Sequence, residues 1–309
     1  MKDHNVSRRR FLGAGMLAAA GLALTSKSSF ANRLFKPAKV DSKINGVQIG
    51  VITYSFRSMP SDIDHLLQYC IQCNINAVEL MGDSAEAYAG APMRDNSADY
   101  AKRLADWREN ARLEPFMAIQ KMFNDQNIDI YAWKPNALGT KNTDGEIIYA
   151  FKAGQALGCT HVTVELPTDP NQTQRLGDLA QANDMMVGYH AHTQATPTLW
   201  DTALDQSKHN GINLDIGHYV AGTSSSPIDF IQKHHKRILS MHLKDRKFHD
   251  GPNMPWGQGD TPIKEVLQLM KKEGYKFPAT IEQEYNIPTG SDAVKEVIKC
   301  REYAKAALA

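Results

Sequence analysis

The segment GYHAHTQ, residues 188–194, sets two imidazoles, His190 and His192, two positions apart behind the apolar run MMVG. On a β-strand, residues i and i+2 share one face. Residues of the same chemical kind close other short apolar runs. These are Glu165 in VELP, Asp215 and His218 in LDIGH, His242 in MHLKD, and Glu282 and Glu284 in IEQE. Charged groups at buried strand ends are costly unless they are paired or bound to a metal. Glu165, His190, Asp215, His242 and Glu282 therefore read as ligands of one divalent ion. A donor set of carboxylates and imidazoles without thiolate suits manganese first, and also magnesium, iron, cobalt or zinc. Such an ion polarises a carbonyl and the hydroxyl beside it, which favours removal of the α-proton. A flanking base takes that proton and an acid returns it, to the same carbon or to the next. A neutral imidazole with a pKa near about 6.5 can take or give a proton at neutral pH. His192, His218, Lys244 and Glu284 are placed to meet substrate, together with Tyr54 and the loop residue Trp256 as aromatic faces.

These side chains can converge only if the elements carrying them form one ring. Short apolar runs at 48–54, 77–81, 128–133, 161–166, 185–190, 212–217, 238–243 and 279–284 read as strands. Helical spacing marks the stretches between them, among them SADYAKRLADWRENARL, EIIYAFKAGQALG and PIKEVLQLMKKEG, and a final helix over 292–308. Strict alternation predicts parallel βαβ units. Eight such units in this length predict a closed (β/α)8 TIM barrel, with the reactive residues at the C-terminal strand ends. A doubly wound open sheet would want a glycine-rich turn after the first strand, and ITYSFRSMP has none. Glu79, closing the second strand, reads as a salt bridge at the barrel end. CIQC (Cys70, Cys73) lies in a helical run and reads as two core-facing thiols. His234 and His235 read as a solvated helix end.

From about residue 47 onward the chain resembles the sugar isomerase/epimerase superfamily with the xylose isomerase-like barrel. Asp215 and His218 match its Asp-x-x-His after strand six. HLKD matches its next motif at His242, Lys244 and Asp245, Glu282 matches the glutamate of strand eight, and GQGDTPIKEVL resembles its glycine-rich loop. The resemblance implies a metal-dependent isomerase or epimerase in which two metal-bound glutamates move protons, a catalytic role that would fall here to Glu282 and to either Glu165 or His190. Strand five departs from the pattern, because His190 stands where the family usually has a glutamate; a subgroup reads Tyr-His-x-His there. Either His190 takes that place, or Glu165 supplies the carboxylate from one strand earlier, and Glu165 is the slightly favoured reading.

The N-terminus carries SRRRFL, an apolar run LGAGMLAAAGLAL, and SFA ending at Ala31. This pattern predicts a twin-arginine signal peptide over 1–31, a linker over 32–46 and a single barrel domain over 47–309. The apolar run is short of the roughly 20 residues a membrane span needs. Export through the twin-arginine translocase to the periplasm follows, and with it a free sugar, sugar acid or oxidised glycoside as substrate in place of a sugar phosphate. A lyase that cleaves 3-keto-glycosides by β-elimination is the alternative enzyme, and a non-catalytic sugar-binding protein the alternative outside catalysis. A net charge of +1 without a basic cluster argues against nucleic acid as partner, and so against an endonuclease on this barrel. The sequence is compatible with a homo-oligomer and does not specify one.

Overall fold

Eight of the apolar runs become parallel strands in the computed structural model, which describes residues 39–309. They are β1 (Val47–Ile52), β2 (Ala77–Met81), β3 (Asp129–Lys134), β4 (His161–Glu165), β5 (Met186–His190), β6 (Asn210–Asp215), β7 (Ile238–Leu243) and β8 (Ala279–Ile281). Each pairs with the next, and β1 pairs with both β2 and β8, so the sheet closes on itself. Helices between the strands cover the outside, as expected for a (β/α)8 barrel. The register sets Glu165 beside His190 and Asp215 beside His242, which brings four of the strand-end residues to one rim.

Local chemistry explains where the elements begin and end. Asp62 caps the helix Ile63–Cys73 by accepting from the His65 N–H, and Asn74 ends it in the left-handed conformation. Thr143 and Glu146 form a capping box on Asp144–Ala156. β6 ends earlier than its apolar run because Asp215 caps the helix Ile216–Thr223, which takes the rest of that run. The helix expected across 97–113 is shorter, Tyr100–Glu109, and a second one, Glu114–Asp125, follows with Pro in its first turn.

Three expectations change. The twin-arginine segment lies outside the described residues, but part of the expected linker belongs to the barrel. Lys43–Ile44 pairs antiparallel with the start of β1 through Asn45 and Gly46, both at positive φ, and Val40 and Ser42 are buried. An Asn-Gly pair with both residues left-handed is the favoured two-residue hairpin turn. His234 is buried rather than solvated, its ring stacked on Phe230 with centroids 4.5 Å apart. The last run stops being a strand after Ile281, leaving Glu282 and Glu284 on the following loop. Cys70 and Cys73 are buried free thiols, as their helical spacing implied.

The lumen is polar to an unusual depth. Tyr131, Thr163, Asn213, Ser240, Thr280 and His161 are all buried and joined by hydrogen bonds across the ring. Gly50 makes room for this layer. A Cβ there would stand 3.0 Å from both Ala77 O and Thr280 Oγ1, and 3.4 Å from the Tyr131 ring.

Candidate metal centre at the barrel mouth

Strand geometry delivers His190, Asp215 and His242 to the C-terminal rim, where one donor atom of each lies within 4.8 Å of the others. All three are buried. Asp215 divides its oxygens: Oδ1 accepts from the His218 backbone N–H at 2.7 Å and caps the helix, while Oδ2 faces the site. This is the physical sense of the Asp-x-x-His spacing. The carboxylate starts the helix, and the histidine falls in its first turn beside the same opening.

His242 lies between two carboxylates. Its Nδ1 is 2.8 Å from Glu282 Oε2 and its Nε2 is 2.7 Å from Glu79 Oε2. Burial works against charge on the ring, but Glu79 and Glu282 outweigh it and push the pKa up to about 10. Glu79 is correspondingly ionised. Burial opposes its charge and the imidazolium of His242 overcomes it, so its pKa falls to about 2. The salt-bridge reading of Glu79 holds, with the bridge inside the barrel. Glu282 is held well below the usual carboxylate range, with Lys244 and then His242 offsetting its burial.

Lys244 reaches into the same space. Its Nζ is 3.2 Å from Asp215 Oδ2, 3.2 Å from Glu282 Oε2 and 2.7 Å from Glu284 Oε2. Burial disfavours the ammonium, but these carboxylates hold it charged. His218 meets Lys244 Nζ at 2.9 Å and Arg246 Nη1 at 2.7 Å. Burial, and then Lys244, push its pKa down to about 2. His190 is also neutral, its pKa lowered to about 3 by burial and then by Lys134. Its Nδ1 pairs with Asn213 Oδ1 at 2.7 Å.

Glu165 stands outside the buried group, contrary to the preference for it as the ligand. Its side chain is 50% exposed, with Oε1 2.7 Å from Lys134 Nζ and Oε2 3.6 Å from His192 Nε2. It pairs in register with the buried His190, but its carboxylate ends at the exposed rim with Lys134 and His192. His192 is more than half exposed, and its ring lies 4.6 Å from that of His218. Tyr54 lies on the turn after β1, its ring centroid 4.8 Å from the Arg57 guanidinium. Trp256 is not at the mouth. Asp245 accepts the backbone N–H groups of Gly257, Gly259 and Thr261, and this folded loop packs Trp256 edge-on against Tyr303 of the last helix. The sequence reading missed Asn213, Ser240 and His161 beneath the rim. Their signal was period two: Asn213 and Ser240 precede Asp215 and His242 by two residues and so share their lumen face.

The residues present fit a divalent cation. Asp215 Oδ2 is buried without an aligned hydrogen-bond partner, although Lys244 Nζ lies 3.2 Å away. Around the opening, Glu79, Glu165, Asp215, Glu282 and Glu284 lie against Lys134, Lys244 and the His242 imidazolium, and Arg246 meets His218 beside them. The Lys244 ammonium already lies among three carboxylates, a cation in a cation's place.

The family model of the xylose isomerase-like TIM barrel matches residues 67–303. An uncharacterized protein of Methanocaldococcus jannaschii is 35% identical over 100 residues, 31% of this chain and 32% of that protein. The L-ribulose-5-phosphate 3-epimerase UlaE of Shigella boydii is 30% identical over 95 residues, covering 31% of this chain and 32% of the relative. The matched stretches thus span about a third of these relatives. Among solved structures, a sugar phosphate isomerase/epimerase from Parabacteroides distasonis superposes with TM-score 0.60 at 17% identity, over 85% of this chain and 95% of its own. The E. coli 3-keto-D-glucoside 4-epimerase YcjR does so with TM-score 0.58 at 12% identity, over 84% and 99%. At these identities the structures speak for the fold alone. With the family model spanning most of the chain over a closed eight-stranded barrel, this protein belongs to the xylose isomerase-like TIM barrel family.

Proposed function

We propose that this protein is an exported, metal-dependent isomerase or epimerase that removes a proton next to a carbonyl of a non-phosphorylated sugar or sugar derivative. The observation that carries the reading is the convergence of His190, Asp215 and His242 within 4.8 Å, with Glu282 on His242 and a buried oxygen of Asp215 left over. His190, Asp215, His242 and Glu282 would hold the ion, manganese first among the candidates. Bound there, it would draw electron density from the carbonyl and the neighbouring hydroxyl oxygen of the sugar.

The chain's own groups do the rest. Glu282, ionised well below the usual range, is a weak base and suits holding a cation. Glu165 is the better-placed proton acceptor: its side chain is half exposed, outside the buried ligand group, and held 2.7 Å from Lys134 Nζ. His192, 3.6 Å from Glu165, can return a proton. His218, Lys244 and Glu284 line the same opening and can bond hydroxyls. Lys134, Lys244 and Arg246 each already face a carboxylate, which leaves none of them free for a phosphate. That supports a non-phosphorylated substrate, as does the twin-arginine pattern of the N-terminus. Elimination is the second reading. If a leaving group stands β to the carbonyl, the same proton abstraction expels it, and a fold neighbour named for a 3-keto-D-glucoside makes that class worth trying.

The test is incubation of manganese-loaded protein with free ketoses, sugar acids and 3-keto-glycosides in deuterated water. Deuterium at the carbon next to the carbonyl supports isomerase or epimerase action, and release of an aglycone supports the lyase. Binding without exchange across the panel leaves a sugar-binding protein. Cell fractionation tests the export.

A further inference from the structure

Beneath the rim, Glu79 makes more polar contacts than any ligand candidate. It is completely buried. Oε1 accepts from Thr163 Oγ1 at 2.6 Å. Oε2 accepts from His242 Nε2 at 2.7 Å, from Asn213 Nδ2 at 3.2 Å and from Tyr131 OH at 3.3 Å. An ionised carboxylate only accepts, so each of these partners must present a proton.

Two consequences follow. His242 must keep a proton on Nε2, and the second proton of its imidazolium, on Nδ1 toward Glu282, is the one a cation in the site would replace. Asn213 must turn its NH2 toward Glu79 and toward Ser240 Oγ, 2.8 Å away. A flipped amide would set an oxygen against the carboxylate. The Asn213 Oδ1 therefore points at His190 Nδ1, which must donate, and His190 keeps its lone pair on Nε2. One buried carboxylate thus reaches both imidazoles, the first directly and the second through an amide.

We infer that Glu79 is a positioning residue that sets the tautomers of both His242 and His190, so that His242 offers Nδ1 and His190 offers Nε2 to a single cation. The inference rests on the metal reading above. Carboxylates that orient ligand histidines from behind are worth about 10–100-fold in metal affinity. Leucine at this position removes both accepting oxygens, so nothing holds the His242 proton on Nε2 or the Asn213 NH2 in place, whereas glutamine could donate to the Thr163 hydroxyl and keep its one oxygen for the other three partners.

The experiment uses protein labelled with 15N in its imidazoles, with Zn(II) as a diamagnetic probe. In the wild type, Zn(II) is expected on His242 Nδ1 with the proton on Nε2, and on His190 Nε2 with the proton on Nδ1. Glu79→Leu should reverse at least one tautomer and weaken Zn(II) binding, measured against a chelator, by about 10–100-fold. Asn213→Ala should disturb His190 and leave His242 as it was. Thr163→Val, which removes a contact on the other oxygen of Glu79, should change neither tautomer nor affinity. Zn(II) on His242 Nε2 in the wild type, or a Glu79→Leu protein that keeps both tautomers and full affinity, overturns the inference. Should Glu79→Leu not fold, the wild-type spectra and Asn213→Ala still decide. Should the wild type take up no Zn(II), the metal reading fails. The His190 tautomer of the metal-free protein then decides on Glu79, with a proton on Nε2 counting against it.

Discussion

Asp215 does two jobs with two oxygens, and substitutions can separate them. Asp215→Asn keeps an N-cap of similar quality, whereas Asp215→Ala also removes the cap, at a cost of about 1 kcal/mol. Both variants should lose metal on dialysis, as should Glu282→Ala, with the barrel still folded by circular dichroism. Only Asp215→Ala should melt lower. Full metal occupancy in the Asp215 and Glu282 variants would sink the ligand assignment. Glu165→Gln should retain metal, because the carboxylate stands apart from the buried group. Its kcat should fall by about 10²–10⁴-fold, as for a lost general base. His161 makes a pH prediction. It is buried and neutral, its pKa lowered from 6.5 to about 4 by burial. The unfolded chain takes up a proton there below about pH 6.5, while the folded protein does not until about pH 4. Stability is therefore full above pH 6.5 and falls as the pH drops toward 4, by about 3 kcal/mol from this group. His161→Gln should flatten that decline in urea titrations at pH 7 and pH 4.5; an unchanged slope would show that His161 protonates freely in the fold.

At the scale of elements, the site depends on the short helix Ile216–Thr223 lying close against the ends of neighbouring strands. Gly217 permits this approach, since a Cβ there would stand 2.5 Å from Lys244 O. Backbone cannot step aside as a side-chain tip can. Gly217→Ala should therefore shift the helix, costing about 1–3 kcal/mol by thermal melting. It should also weaken metal binding, because Asp215 and Lys244 lie on either side of the contact. Retained stability and affinity would mean that the helix has slack. The elements themselves were largely legible in the letters. Seven of the eight strands coincide with apolar runs to within about two residues at each end, as far as hydrophobic pattern resolves boundaries. The exception was the last run, where ATIEQE continues the alternation but only Ala279–Ile281 finds partners on both sides. Pattern reports which face a residue prefers and does not report where hydrogen bonding stops.

For the whole molecule, closure of the barrel turns eight local segments into one site, and the N-terminal end must be sealed as well. Val40 is buried, and Ser42 Oγ donates to Ile49 O at 2.6 Å. Asn76 Oδ1 accepts from Ser42 N and from Gln48 Nε2. A chain beginning at Val47 should be less stable than one beginning at Lys39 by about 2 kcal/mol, the worth of a buried valine and a hydrogen bond or two. Equal urea midpoints for the two would show that this hairpin is ornamental. By itself the sequence determined the barrel, the rim and the identity of most groups on it. Alternation of strand and helix, and the period of two along each strand, are local properties written in consecutive residues. What the tertiary structure alone decided is which of those groups meet. It brought His190 rather than Glu165 into the buried set, sent Trp256 to the outer flank and made Glu79 the anchor beneath. Those outcomes depend on how strands 25 to 163 residues apart along the chain are registered and tilted around a closed ring, which no local pattern encodes.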